Sequence, residues 1–130
     1  MRKRLPDTLS VRVIERRDDG IVIRGAKLHI SAASMGHELM TIPTKSMKAG
    51  EDEYSVACMV PVNAPGVKII NTTYAPRHED TRDFPISSRQ HTPEGFVIFD
   101  DVFVPNERVF LGGTNPELAG IFAHALGLWE

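Results

Sequence analysis

The segment His29-Ile30-Ser31-Ala32-Ala33-Ser34 has the composition of a loop that faces a ligand. Small side chains let a flat ring approach the backbone, and the Ser31 hydroxyl can donate to a ring nitrogen or carbonyl. An ordinary connecting loop has the same composition, so both readings stand on local grounds. Ser87-Ser88-Arg89 offers two hydroxyls and a guanidinium, groups that hold an anion, and it reads equally as a turn with a surface arginine. Cys58, the single cysteine, lies mid-strand between Ala57 and Met59, which suits a packed thiol better than a nucleophile. One cysteine also excludes an internal disulfide framework and a cysteine-rich metal site. The five histidines, His29, His37, His78, His91 and His124, show no metal-ligand spacing. His37-Glu38 lacks the second histidine of a zinc-binding helix, and no glycine pattern of a phosphate-cradling loop is present.

The elements that must position these residues are mostly strands. Ser10–Arg16 alternates, Asp18-Asp19-Gly20 supplies a hairpin turn, and Ile21–Arg24 resumes with β-branched residues. Gly25 marks a bend or bulge before a further strand over Ala26–Ile30. Ser31–Gly36 is a loop, Glu38–Ile42 a short strand and Lys48–Glu53 a solvated turn. Tyr54–Val62 and Val67–Tyr74 are strands around the turn signal Asn63-Ala64-Pro65-Gly66. Ala75–Pro93 is polar and irregular, a length that marks a functional loop or a covered excursion. Gly95–Val104 is apolar on both faces up to Phe99, after which Val102 and Val104 alternate with Phe103. Leu111-Gly112-Gly113 is a break. Thr114 or Asn115 then caps a helix with Pro116 at its first position. Leu118, Ile121, Phe122, Ala125, Leu128 and Trp129 fall at helical spacing up to Glu130. Short strands with intervening turns predict a mainly β sandwich or barrel with a C-terminal helix. That helix leaves its apolar face without a partner, so the expectation is a piece of a longer or split protein.

With 130 residues, 42% of them apolar and 25% charged, the chain suits one soluble domain rather than a disordered or collagen-like one. Arg2-Lys3-Arg4 is followed by Pro6-Asp7-Thr8 instead of an apolar stretch, unlike a signal peptide. No apolar run approaches the roughly 20 residues of a membrane span. The expectation is a cytoplasmic protein with no membrane partner. The net charge of −2 and the few aromatics argue against nucleic acid as a partner. Residues 1–30 hold eight basic and four acidic groups, and residues 94–130 one basic and six acidic. Two solvated faces explain this, with a docking surface as the alternative.

Asp19–Lys27, the small-residue loop through Ser34, and His37-Glu38 with Pro43-Thr44 form an ordered series of motifs. Asp83–Arg89 and Val97–Phe110 continue it. The series resembles the central β-domain of the 4-hydroxyphenylacetate 3-hydroxylase family, over roughly residues 10–128. The flavin-dependent relatives of that family include 4-hydroxybutyryl-CoA dehydratase, and its wider kinship is with acyl-CoA dehydrogenases. The resemblance implies an acyl-CoA dehydrogenase-like middle-domain β-barrel or sandwich. Residues 1–9 would be an N-terminal extension, 10–113 the middle domain, and 114–130 the truncated start of a helical region.

The resemblance also implies roles. Ser31 stands where the family has a Thr or Ser against the flavin, with His29 and Ile30 beside it. Thr44 and Lys45 follow the next strand, where hydroxylases approach their substrate. Ser87, Ser88 and Arg89 match a signature without an assigned role, and Asn106 replaces a common Trp, which alters a packing contact. The implied cofactor is FAD, reduced by a flavin reductase, and the implied chemistry is oxygen transfer to a small aromatic substrate. Partners would be a homo-oligomer or complementary helical chains, and the β-domain alone would be inactive. A 4-hydroxybutyryl-CoA dehydratase-like parent is the second reading, although Asp83–Arg89 leans to the hydroxylase and Cys58 matches no cluster ligand. A non-catalytic β-scaffold or gene remnant is the third.

Overall fold

Two antiparallel sheets face each other across one apolar core. The computed structural model describes residues 10–43, 47–71 and 93–125, together with Arg82, Pro85, Ile86 and Arg89. The larger sheet has the order β1 (Arg12–Arg17), β2 (Gly20–Ser31), β6 (Glu94–Pro105), β5 (Val67–Asn71). The smaller has the order β3 (Glu38–Thr41), β4 (Val56–Pro61), β7 (Val109–Gly112). The arrangement is therefore a sandwich, in keeping with the mainly β expectation.

The alternation in the chain and the core fit once two bulges are included. In β6 the pairing moves from Phe99 opposite Gly25 to Val102 opposite Ile23, so Asp100 and Asp101 together face the single residue Arg24, one residue in excess. Asp101 takes the left-handed backbone, φ 55°, which aspartate tolerates. This extra residue resets the phase, so Val97, Phe99, Val102 and Val104 are all buried in the core. The insertion explains why the buried positions switch from odd numbers, Val97 and Phe99, to even ones, Val102 and Val104, while Phe96 and Ile98 are half-buried on the other face. In β2 the pairing skips Leu28 and His29, and His29 takes φ 57°.

Leu39, Val56, Cys58 and Val60 close the core from the smaller sheet. Outside that sheet, α1 (Pro116–Ala125) places Ala119 on Ala57 and Leu111. Its start is tied down by the Ser55 hydroxyl, which donates to the Asn115 carbonyl at 3.0 Å. The expected break at Leu111–Gly113 is corrected. Val109–Gly112 is the strand β7, because pairing with Val56–Cys58 satisfies its backbone, and the turn begins only at Gly113 (φ 73°).

One ion pair joins the basic N-terminal stretch to the acidic C-terminal one, and a second joins β5 to β6. Arg24 in β2 forks onto Asp101 in β6, and Lys68 reaches Asp100 at 2.8 Å. Asn106 donates to the Asp18 carbonyl at 2.8 Å and secures the β1–β2 hairpin. No helix among the described residues is long and apolar enough to cross a membrane.

Burial raises the Cys58 thiol from an ordinary 9.0 to about 12. Between those values the unfolded chain gives up the thiol proton and the folded chain keeps it. Stability therefore falls as pH rises above 9. Thermal melts near pH 11 should show about 2–3 kcal/mol of this loss, absent in Cys58→Val. At pH 8 a disulfide reagent should leave the folded thiol unmodified and label it only on unfolding.

Candidate functional site

Ser31 is the last residue of β2 rather than the first of a loop. It pairs with Glu94, and Ile30 pairs with Gly95. The bulge at Leu28–His29 turns the strand end, and the chain then folds into a tight turn. Ala32, at φ 57°, donates its N–H to the Pro93 carbonyl at 2.8 Å. Its own carbonyl accepts from Met35 N–H at 2.9 Å and Gly36 N–H at 3.2 Å. Ala33 is buried against Gly95, where an added Cβ would lie 2.8 Å from the alanine methyl. Asn71 at the end of β5 donates to the Ser34 hydroxyl at 2.7 Å. The turn is thus pinned to β5 and β6, and small residues are required at its contacts.

Between this turn and β3 runs a groove of about 400 Å³. Ile30, Ser31, Met35, Leu39 and Met40 are among its lining residues. Met35 and Met40 are exposed, giving adaptable apolar walls. Ser31 is exposed, and its hydroxyl donates to a Glu94 carboxylate oxygen at 2.6 Å. An ionised carboxylate only accepts, so the Ser31 proton is committed and its lone pairs are what it presents. The sequence reading had Ser31 as a donor; its pairing with Glu94 makes it an acceptor. Arg108 pairs with Glu38 and fixes the first residue of β3, which also lines the groove.

Of the residues expected at the site, the structure brings Ile30 and Ser31 together on the groove. His29 is exposed and does not line it, because the bulge directs it elsewhere. Thr44 and Lys45 lie outside the described residues; Pro43, just before them, is buried. Ser87 and Ser88 also lie outside, and Arg89 is exposed with its N–H on the Ile86 carbonyl at 2.9 Å. Glu94, Met35 and Met40 were missed. Only strand register brings Glu94 to Ser31.

Comparison with known proteins adds a family. A family model described as "4-hydroxyphenylacetate 3-hydroxylase N terminal" matches residues 2–111. The 4-hydroxyphenylacetate 3-monooxygenase oxygenase component of Geobacillus sp. is 37% identical over 105 residues, covering 79% of this chain and 21% of that protein. The 4-hydroxybutyryl-CoA dehydratase/vinylacetyl-CoA-Delta-isomerase of Clostridium aminobutyricum is 38% identical over 113 residues, covering 82% and 22%. The crystal structure of an oxygenase component of 4-hydroxyphenylacetate 3-monooxygenase complexed with FAD superposes with a TM-score of 0.78 at 33% identity. That match covers 96% of this chain and 26% of the other. The chain thus spans about a fifth of the length of the curated relatives it matches. It belongs to the 4-hydroxyphenylacetate 3-hydroxylase family and has the mainly β, acyl-CoA dehydrogenase-like fold.

Proposed function

We propose that this chain is the β-wall of a flavin-dependent oxygenase that acts on small phenols, holding FAD along the Ile30–Met40 groove. The observation that carries the reading is the exposed Ser31 acceptor at the rim of a groove walled by small residues and methionines. These residues fit a flavin: the small turn admits a flat ring, the methionines cover its apolar part, and Ser31 accepts from a ring N–H. When bound, reduced flavin supplies the activation of dioxygen for oxygen transfer to an aromatic ring. The chain's own residues bind, orient and exclude water. Glu94 holds the Ser31 proton, and Ile30 with Met35 and Met40 desolvates the site. Thr44 and Lys45, following Pro43, meet the polar groups of the phenol.

In this reading residues 10–113 are the middle domain, with 1–9 an extension and 114–130 the start of a helical region. Helical parts, other copies of the chain and a flavin reductase complete the enzyme, so the 130 residues alone bind flavin weakly and do not hydroxylate. A dehydratase-type parent is the second reading, favoured by the 38% identity to the Clostridium enzyme.

The test is a graft of residues 10–113 into the Geobacillus oxygenase component in place of its matching segment. The graft should keep hydroxylation of 4-hydroxyphenylacetate with reduced flavin. Ser31→Ala within it should weaken flavin binding about 5- to 10-fold, the loss of one hydrogen bond at ~1 kcal/mol, and Ser31→Thr should restore it. Unchanged affinity in Ser31→Ala overturns the assignment. Activity only when grafted into the Clostridium dehydratase would favour the second reading.

A further inference from the structure

The turn after β2 spends its hydrogen-bond donors on itself. Ala32 N–H goes to the Pro93 carbonyl, Ala33 N–H to the Ile30 carbonyl at 3.4 Å, and the N–H groups of Met35 and Gly36 to the Ala32 carbonyl. The Ser31 hydroxyl donates to Glu94 at 2.6 Å. Glu38, the other residue with a polar side chain on the groove, carries a carboxylate held by Arg108. On its turn side the groove therefore offers a ligand acceptors. Glu94 is half-buried and does not itself line the groove, so it acts there through Ser31. A carboxylate accepts and cannot donate, and it fixes the direction in which that hydroxyl points.

A flavin changes its hydrogen-bonding polarity with its redox state. Ring nitrogen N5 carries no hydrogen in the oxidised form and accepts, whereas two-electron reduction places a hydrogen on it and makes it a donor. The N3–H group donates in both forms. An acceptor facing N5 gains a hydrogen bond from the reduced ring and sets lone pair against lone pair in the oxidised one. We propose that Glu94 is a positioning residue that makes this groove select reduced over oxidised flavin, by holding the Ser31 hydroxyl as an acceptor toward N5. The inference rests on the flavin reading and adds to it the residue that sets the preference. An amide in place of the carboxylate reverses the polarity, since glutamine can donate to Ser31 Oγ and release the hydroxyl proton toward the ring. Loss of the charge alone acts in the opposite sense, because a nearby carboxylate disfavours negative charge on a reduced ring. The two effects are separated by their sign.

The test is a pair of anaerobic titrations of the full chain, with oxidised FAD and with FAD reduced by dithionite, read from the amide shifts of Ile30–Gly36. The chain should bind reduced FAD at least about tenfold more tightly, equivalent to raising the potential of the bound two-electron couple by about 30 mV. Glu94→Gln should bring the ratio of the two affinities to about one or below. Ser31→Ala should also bring it to about one, and Glu94→Gln added to that background should leave the ratio there or raise it. Ser31→Thr, which keeps the hydroxyl, should keep the preference. A ratio of one or below in the parent chain, the result if Ser31 meets N3–H instead, overturns the proposal. So does a ratio unchanged or raised by Glu94→Gln, or one lowered equally with and without the Ser31 hydroxyl. In each of those cases flavin still binds and the flavin reading stands. No shift of these amides with either form overturns that reading and this inference together.

Discussion

Phe99→Ala is expected to cost about 3–5 kcal/mol, a large share of the 5–15 kcal/mol that holds a typical domain together. Phe99 is 2% exposed and lies on β6, with Gly25 of β2 and Val67 of β5 as its cross-strand neighbours. Its ring sits in the cluster that contains Leu39, Val56 and Val60 of the smaller sheet, so it contributes to the contact between both layers. Truncation removes the apolar transfer term and leaves a cavity that strands cannot easily collapse into. Urea unfolding should show a lower midpoint at constant slope. The exposed Leu28, changed to alanine, should stay within about 0.5 kcal/mol as a control. A loss below about 1 kcal/mol for Phe99→Ala would mean that the ring is not packed between the sheets.

Gly25→Ala is expected to cost about 3 kcal/mol or more, although it adds only one methyl group. Gly25 has φ 142°, a backbone region L-residues rarely adopt. A Cβ there would lie 2.5 Å from the Ser10 carbonyl oxygen and 2.6 Å from the Val11 Cα, both backbone atoms. Nothing flexible can yield, so either the lead into β1 lifts off or β2 twists. Gly50 is the matched control. It too has a positive φ, 85°, but its surroundings are open, so alanine there should incur only the backbone strain. Equal losses at the two glycines would contradict the close approach at Gly25.

Much of the fold was legible because short, β-branched segments alternate between turn residues. The Asp18–Asp19 hairpin and the Asn63–Gly66 turn fall where their residue types require. β7 was hidden because a four-residue strand that ends on Gly112, with Gly113 next to it, exists only through pairing with β4. Ser31 was found through its type and its small neighbours, but its polarity was not. Glu94 stands 63 residues away and reaches Ser31 only through the register of β2 and β6. The inward placement of Lys27 is legible in the strand phase, since it continues that of Ile21, Ile23 and Gly25, and its ammonium ends on the Ile42 carbonyl.

The central claim is that the turn after β2 presents Ser31 to a flavin ring. Amide NMR of the isotope-labelled chain during addition of reduced flavin under anaerobic conditions tests this most directly. The account predicts fast-exchange shifts at Ile30–Gly36 and Leu39–Met40, weakened in Ser31→Ala, with the Val97–Val104 core unmoved. Shifts centred on the outer face of β1, or no concentration-dependent shift at Ile30–Gly36 up to the solubility limit of flavin, would contradict it.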